Sequence, residues 1–195
     1  MPHVKDDEST SAPSHLLWRA AEQGHHRAVL ALMRHPLVDP NKVRSEDTTT
    51  PLYISAYHGH EEVVKGLLGH PWIDVNKGKS ATGATPLLIA AEEGREGVVK
   101  ALVGHPSIEV RRCDAKGTTP LSRSCEQGHE PVVELLVQHA GVCETDLRDA
   151  YHIAKEKGYD GIARLLSARC GSSSVSSSNV SEVTRSEPGS VSRDT

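Results

Sequence analysis

The chain contains no phenylalanine, and two tryptophans and four tyrosines are its whole aromatic content. A core of ordinary size must therefore be built from small aliphatic side chains, or part of the chain must lie outside any core. Long apolar runs are also missing, which leaves no candidate for a membrane-spanning helix. Basic excess is absent: 22 Lys+Arg stand against 26 Asp+Glu, for a formal charge of −4. A nucleic-acid binder would show a basic stripe, so that class is set aside. The N-terminus reads MPHVKDDESTSAP, without an apolar stretch after a basic start, so no secretory signal is expected. The four cysteines, Cys113, Cys125, Cys143 and Cys170, form no CxxC pair, which removes the zinc-ribbon and thioredoxin readings. They are expected as free thiols in a reducing compartment, cytoplasmic or nuclear.

What the chain does have is a repeat. Thr-Pro-Leu occurs at residues 50–52, 85–87 and 119–121, at spacings of 35 and 34. A glycine follows each leucine seven residues later, at Gly59, Gly94 and Gly128. Paired valines come next, at Val63-Val64, Val98-Val99 and Val132-Val133, and then Leu67-Leu68, Leu102-Val103 and Leu135-Leu136. The phase extends upstream through Leu17, Ala20-Ala21, Gly24 and Val29, and downstream through Tyr151, Ala154, Gly158 and Leu165-Leu166. That makes about five units between residues 14 and 169, with the outer two acting as caps that show one face to water.

Each unit reads as two short helices. Thr50, Thr85 and Thr119 are N-caps, because a threonine hydroxyl can satisfy a free N–H of the first helical turn. The following proline suits the first helical position, where its missing N–H costs nothing. The first helix runs about seven residues to the glycine, which can take a positive φ. The second carries apolar residues at i, i+1, i+4 and i+5, one buried stripe. His35-Pro36, His70-Pro71 and His105-Pro106 close the second helices. Short extended pieces are expected after them, at Val38-Asp39, Ile73 to Asn76 and Ile108 to Val110, and turn residues before the next threonine. Such a helix pair cannot bury both faces alone and must stack on copies of itself.

These units resemble ankyrin repeats, whose pattern is close to D-x-x-G-x-T-P-L-H-x-A-A-x-x-G-H followed by a second helix and a β-turn finger. The match is close in Ala84 to Gly94 and in Asp114 to Leu121, continuing to Gly128-His129, and it covers roughly four fifths of the chain. Three departures stand out. Thr48 occupies the place of the finger glycine in a finger one residue longer. Arg123 stands where Ile54, Ile89 and Ile153 stand in sister units, and a cation there is expected to lay its stem along the helix with its head in water. The finger near Cys143 to Asp149 is shortened. The resemblance implies an all-α solenoid of about five repeats, residues 14–169. It is flanked by a polar tail, 1–13, and by a tail, 170–195, in which ten residues from Gly171 onward are serine. Both tails are expected to be disordered.

Candidate chemistry is sparse. Most of the twelve histidines hold fixed phases of the repeat, and equal phases of stacked helix pairs lie about 8–10 Å apart. Metal ligands must converge on one ion at about 2 Å, so turn and capping roles are expected and no metal. Cys125 takes a small-residue position of its helix, filled by Ala56 and Ala91 in sister units, and reads as a buried thiol. Gly78 and Gly83 flank Lys79 without the order of a phosphate loop. No catalytic residue and no cofactor are assigned. Trp72, between units, reads equally as an outward docking anchor or as packing over a helix end.

The informative positions precede each glycine: Tyr57-His58, Glu92-Glu93 and Glu126-Gln127. In the family that side of the inner helix lines a groove with the finger tips, here Arg44, Glu46, Asp47, Lys79 and Lys116. Acids recurring on one side of a stack repel unless a cation pairs with them. The expectation is a monomeric, non-catalytic module that binds a protein, one with a basic segment, through this surface. The alternatives are a regulator controlled by phosphorylation of its serine-rich tail, or a regulatory subunit of an enzyme.

Overall fold

The structure is a computed structural model that describes residues 8–44 and 48–171. Residues 1–7, most of the expected N-terminal tail, and 172–195, nearly all of the C-terminal one, lie outside the described residues, as do Glu46 and Asp47. Ten helices and no strands are found among the described residues, arranged as five consecutive pairs. The inner helices are α1 (Glu8–Glu22), α3 (Pro51–His58), α5 (Pro86–Glu92), α7 (Pro120–Gln127) and α9 (Glu144–Lys157). The outer helices are α2 (His26–Met33), α4 (Glu61–Leu68), α6 (Glu96–Val103), α8 (Glu130–Val137) and α10 (Asp160–Gly171). Inner packs on inner and outer on outer in chain order, α1 on α3 through to α9 and α2 on α4 through to α10.

The Thr-Pro-Leu signature does what its chemistry requires. The hydroxyls of Thr50, Thr85 and Thr119 accept hydrogen bonds from the amides of Tyr53, Leu88 and Ser122, and each proline follows at the start of its helix. Leu52 and Leu87 are fully buried and Leu121 nearly so, giving each inner helix one large anchor between its neighbours. From the outer helices Val63-Val64, Val98-Val99 and Val132-Val133 complete one continuous core. Each such side chain contributes about 1.5–3 kcal/mol of burial, a sum that no single pair could reach alone.

Repeats are also stitched by polar contacts. His60 Nε2 donates to the Glu22 carbonyl at 2.9 Å, His129 Nε2 to the Glu92 carbonyl at 2.8 Å, and Arg95 Nε to the Tyr57 carbonyl at 3.1 Å. In each case the residue after one repeat's glycine reaches back to the end of the preceding inner helix. A second ladder runs through the loops. Asn41 donates to the Trp72 carbonyl and accepts from the Asp74 amide, and Asn76 repeats this with the Ser107 carbonyl and the Glu109 amide. Nδ1 of His35, His70, His105 and His139 accepts the amide two residues on, so these histidines are turn residues.

Three local features differ from expectation. Helix α1 begins at Glu8, ahead of the boundary expected at residue 14. The segments expected as short extended pieces form no strand, and each is entered through a turn closed by the Val38, Ile73 or Ile108 amide donating to the carbonyl of His35, His70 or His105. The shortened finger at Cys143 to Asp149 is helical: a capping box formed by Cys143 and Asp146 starts α9 there, and two extra turns replace the finger. At the remaining fingers the backbone must enter the left-handed region, which Gly83 (φ 71°) and Gly117 (φ 79°) do without strain, whereas Thr48 is held at φ 53°.

Candidate functional site

The fingers lean over the inner helices. Finger two, between α4 and α5, closes with Gly83 donating to the Lys79 carbonyl at 2.7 Å, and finger three, between α6 and α7, with Asp114 donating to the Thr118 carbonyl at 3.1 Å. They are tied to each other by the Ala115 amide and the Thr82 carbonyl at 2.8 Å. Between these two fingers and helices α3, α5 and α7 lies a recess of about 320 Å³, lined among others by Tyr53, Lys79, Glu92, Asp114, Lys116 and Arg123.

Arg123 organises it. The side chain is only 18% exposed, so its head does not reach into water as expected from sequence. Its Nη1 donates to Glu126 at 2.7 Å and its Nη2 reaches Asp114 at 3.4 Å. Nε lies 3.9 Å from Glu92, an ion-pair distance too long for a hydrogen bond, and this buried N–H has no acceptor among the described residues. One guanidinium thus supplies the cation that the acidic stripe requires, bridging α5, α7 and the third finger.

Asp114 is equally committed. Its Oδ1 accepts the amides of Lys116 and Thr118, which shapes the finger. Burial alone would raise this carboxyl, but the two amide donors and the charges of Arg123 and Lys116 outweigh it and hold it below the usual value. Tyr53, buried beside the recess, is pushed up to about 12 by burial first and then by the charges of Glu92, Tyr57 and Glu93. Its hydroxyl keeps its proton at any physiological pH. Cys125, fully buried in α7, is likewise pushed up to about 12, chiefly by burial, which leaves a thiol and not a thiolate nucleophile.

The expected surface residues divide into three groups. Glu92, Glu126, Lys79 and Lys116 gather around the recess, the two acids already paired and the ammonium groups of the two lysines without a hydrogen bond or ion pair among the described residues. Glu93 shares this neighbourhood, since its charge is felt by Tyr53, while Gln127 is exposed at the end of α7. Tyr57, 39% exposed, meets the His58 ring edge-on at 5.0 Å at the end of α3. Arg44 stands apart, its guanidinium 4.5 Å over the ring of Trp18, whose Nε1 donates to Thr49. Sequence reasoning missed Tyr53, Leu88 and Asp114 as lining residues. Trp72 points outward, 77% exposed, and so is not packed over a helix end.

A family model for ankyrin repeats, in three copies, matches residues 17–112 and 97–177. The chain belongs to the ankyrin-repeat family. Comparison with curated proteins found no match. Ankyrin repeats are general protein–protein interaction modules, and the family is typically non-catalytic. Among the described residues of this ankyrin-repeat protein, no helix is long and apolar enough to cross a membrane.

Proposed function

We propose that this ankyrin-repeat protein is a monomeric adaptor or scaffold that binds a partner protein along the groove between its inner helices and finger tips. The observation that carries this reading is the division of charge in the groove. Arg123, Asp114, Glu92 and Glu126 are occupied with one another and with the third finger, which makes the floor rigid. The side chains of Lys79, Lys116 and Glu93 make no hydrogen bond or ion pair among the described residues, and Tyr57 and His58 lie exposed beside them. A rigid floor with unspent charges and an aromatic edge loses little freedom on association, which favours binding. Basic side chains of the partner fit the helix side, at Glu93 and the outer edges of Glu92 and Glu126.

Proximity labelling in cells with the full chain tests this. The variant combines Tyr57→Ala, Glu93→Lys and Lys79→Glu, all at sites free of internal bonds through the side chain, so its melting temperature should stay near that of the wild type. It should lose a defined set of labelled proteins, with weaker association at raised salt for those that remain. Lys100→Glu on outer helix α6 is the surface control and should keep the set. Leu87→Ala, in the core, should cost about 2–5 kcal/mol and lose partners through unfolding. An unchanged set in the groove variant would return these residues to a solvated face.

A further inference from the structure

The first repeat presents a face that the other four repeats keep covered. Leu16, Ala20, Ala28 and Leu32 hold the phases that Pro51, Ser55, Val63 and Leu67 hold one repeat later. In every later repeat the residues at these phases are buried, down to Ala150, Ala154, Ile162 and Leu166 in the fifth. In the first repeat Leu16 is 55% exposed and Ala28 and Leu32 are half-buried, while Ala20 alone is buried. Each later repeat is packed over by the helix pair before it, as α3 is by α1 and α4 by α2. The first repeat has no such cover among the described residues. A terminal repeat of a solenoid ordinarily turns a polar face outward, and this one is apolar at its centre. It is also hollow. Ala28 stands where the sister outer helices carry Val63, Val98, Val132 and Ile162, so the branched side chain is missing. A recess of about 450 Å³ opens between α1 and α2, walled by Leu16, Ala20, Ala28, Ala31 and Leu32.

The rim of this hollow is cationic. Arg19 lines it and no carboxylate does. Arg27 precedes Ala31 by four residues and Arg34 follows it by three, spacings that set both beside Ala31 on the outer helix. None of these three guanidinium groups has a hydrogen bond or ion pair among the described residues. The acids of α1 and α2 are Glu8, three helical turns from Arg19, and Glu22, at the groove phase that Tyr57 holds in the next repeat. Glu61 and Glu62 on the neighbouring outer helix are held by Lys65. We propose that this end of the stack is a docking surface for an acidic amphipathic helix of a partner protein. The occupant is a helix because helices are what cover these phases in the four later repeats. An extended segment would find no strand to pair with among the described residues. A helix laid across α1 and α2 puts one large apolar side chain into the hollow over Ala28 and others, three and four residues on, against Leu16 and Leu32. Its Asp and Glu residues then meet Arg19, Arg27 and Arg34, which selects an acidic helix over a basic one. The surface closes the stack at its N-terminal end and does not depend on the groove reading.

The test watches the floor of the hollow. In full-length protein labelled with ¹³C at its alanine methyls, the signals of Ala28 and Ala31 are assigned by substitution. The probe is a helical peptide of about 16 residues, with leucine at i, i+3, i+4 and i+7 and glutamate on the opposite face. The comparison probes are the same peptide with lysine for glutamate and vesicles containing phosphatidylserine. The acidic peptide should move both methyl signals and saturate with a Kd on the order of 100 µM, as fits one helix out of its protein. Leu16→Glu should weaken it by about tenfold, and Arg19→Glu and Arg27→Glu by about threefold to tenfold each. All three side chains are exposed, so the fold should be kept, and the backbone spectrum reports whether it is. Ala28→Val, which fills the hollow as the sister helices do, should weaken binding by about fivefold with the melting temperature unchanged or raised. Methyl signals that stay in place up to about 1 mM acidic peptide overturn the proposal. So does equal binding of the lysine peptide, unchanged binding in all four variants, or vesicles that move the same signals at lower concentration than the peptide. A shift of these methyls on diluting the protein alone would show a second copy on the face. Nuclear Overhauser contacts to residues 1–7 would show the chain's own segment there, and either result overturns the proposal too. None of these outcomes touches the groove reading, which is tested by the labelled-protein set of the Tyr57→Ala, Glu93→Lys, Lys79→Glu variant.

Discussion

Replacing Arg123 with isoleucine gives inner helix α7 the residue type its sister helices carry at Ile54 and Ile89, both parts of the repeat packing. Repeat consensus alone would make this change stabilising. The structure argues the opposite. Arg123 makes contacts at 2.7 Å to Glu126 and 3.4 Å to Asp114, with a looser one at 3.9 Å to Glu92, from a side chain only 18% exposed. Partly exposed pairs are worth about 0.2–1 kcal/mol each, so two set a loss of about 0.4–2 kcal/mol, and the low exposure of the arginine places it in the upper part of that range. Removal also leaves three carboxylates facing one another, while the isoleucine regains only part of what the arginine stem already covers. Arg123→Ile should therefore lose about 1–2 kcal/mol at pH 7 in urea unfolding. The deficit must depend on pH, and its sign follows from Asp114. That carboxyl is depressed below 3.8 in the folded protein, so it adds stability that is full above this value and is lost as pH falls through the lower folded value. In the variant part of the depression disappears. The two proteins should thus differ most at neutral pH and converge as pH falls below 3.8 and through the lower folded value of Asp114. Adding Glu92→Gln and Glu126→Gln to Arg123→Ile should recover part of the loss at pH 7. A variant as stable as wild type at pH 7, or a deficit that does not change with pH, would refute the assignment of Arg123 as counterion of the stripe.

Two other expected outcomes concern the backbone. Thr48 is β-branched and held at φ 53°, a conformation that costs about 1–2 kcal/mol; against the roughly 0.5–1 kcal/mol of added unfolded-chain entropy, Thr48→Gly should stabilise by about 0.5–1 kcal/mol, read from the urea midpoint. A lower midpoint would show that the finger does not rely on this residue's conformation. Gly94→Ala and Gly158→Ala form a matched pair, with φ of 65° and 80°. A methyl on Gly94 would sit 2.7 Å from Nδ1 of His129, whose Nε2 holds the Glu92 carbonyl, whereas nothing lies within 4 Å of one on Gly158. Gly158→Ala should cost about 1 kcal/mol for its backbone alone, and Gly94→Ala at least about 1 kcal/mol more for the displaced histidine bond. Equal costs would mean that the histidine clamp between repeats contributes nothing measurable.

The architecture was legible because its determinants are local and repeated. A threonine before a proline caps a helix wherever it stands, a glycine seven residues after the leucine ends it, and paired valines mark a buried stripe. Stacking follows from the impossibility of burying such a pair alone, so fold and family were both within reach of the sequence. Two local features were not. The run from Cys143 to Asp149 looked like a finger cut short, but a capping box between Cys143 and Asp146 made it helix. Thr48 marked an unusual finger, yet only the backbone showed that the left-handed turn is kept without its glycine.

The site depended on tertiary structure to a greater degree. Sequence put Glu92 and Glu126 in one phase and required a cation for them; Arg123 was visible as an intruder among isoleucines. Nothing in one dimension joined these facts. Phase says which residues share a face, but the direction of a long side chain is decided by what surrounds its head. Here three carboxylates, one of them on a finger, outcompete water for the guanidinium. Arg44 shows the same principle in reverse, since a charge counted among the finger tips is drawn onto Trp18. The sequence by itself determined the solenoid, its capping and the face that carries charge, because each is set by contacts a few residues apart. Which charges are spent within the protein and which remain for a partner was decided only when fingers and helices from different repeats came together, because pairing depends on distances between atoms that the repeat period does not specify.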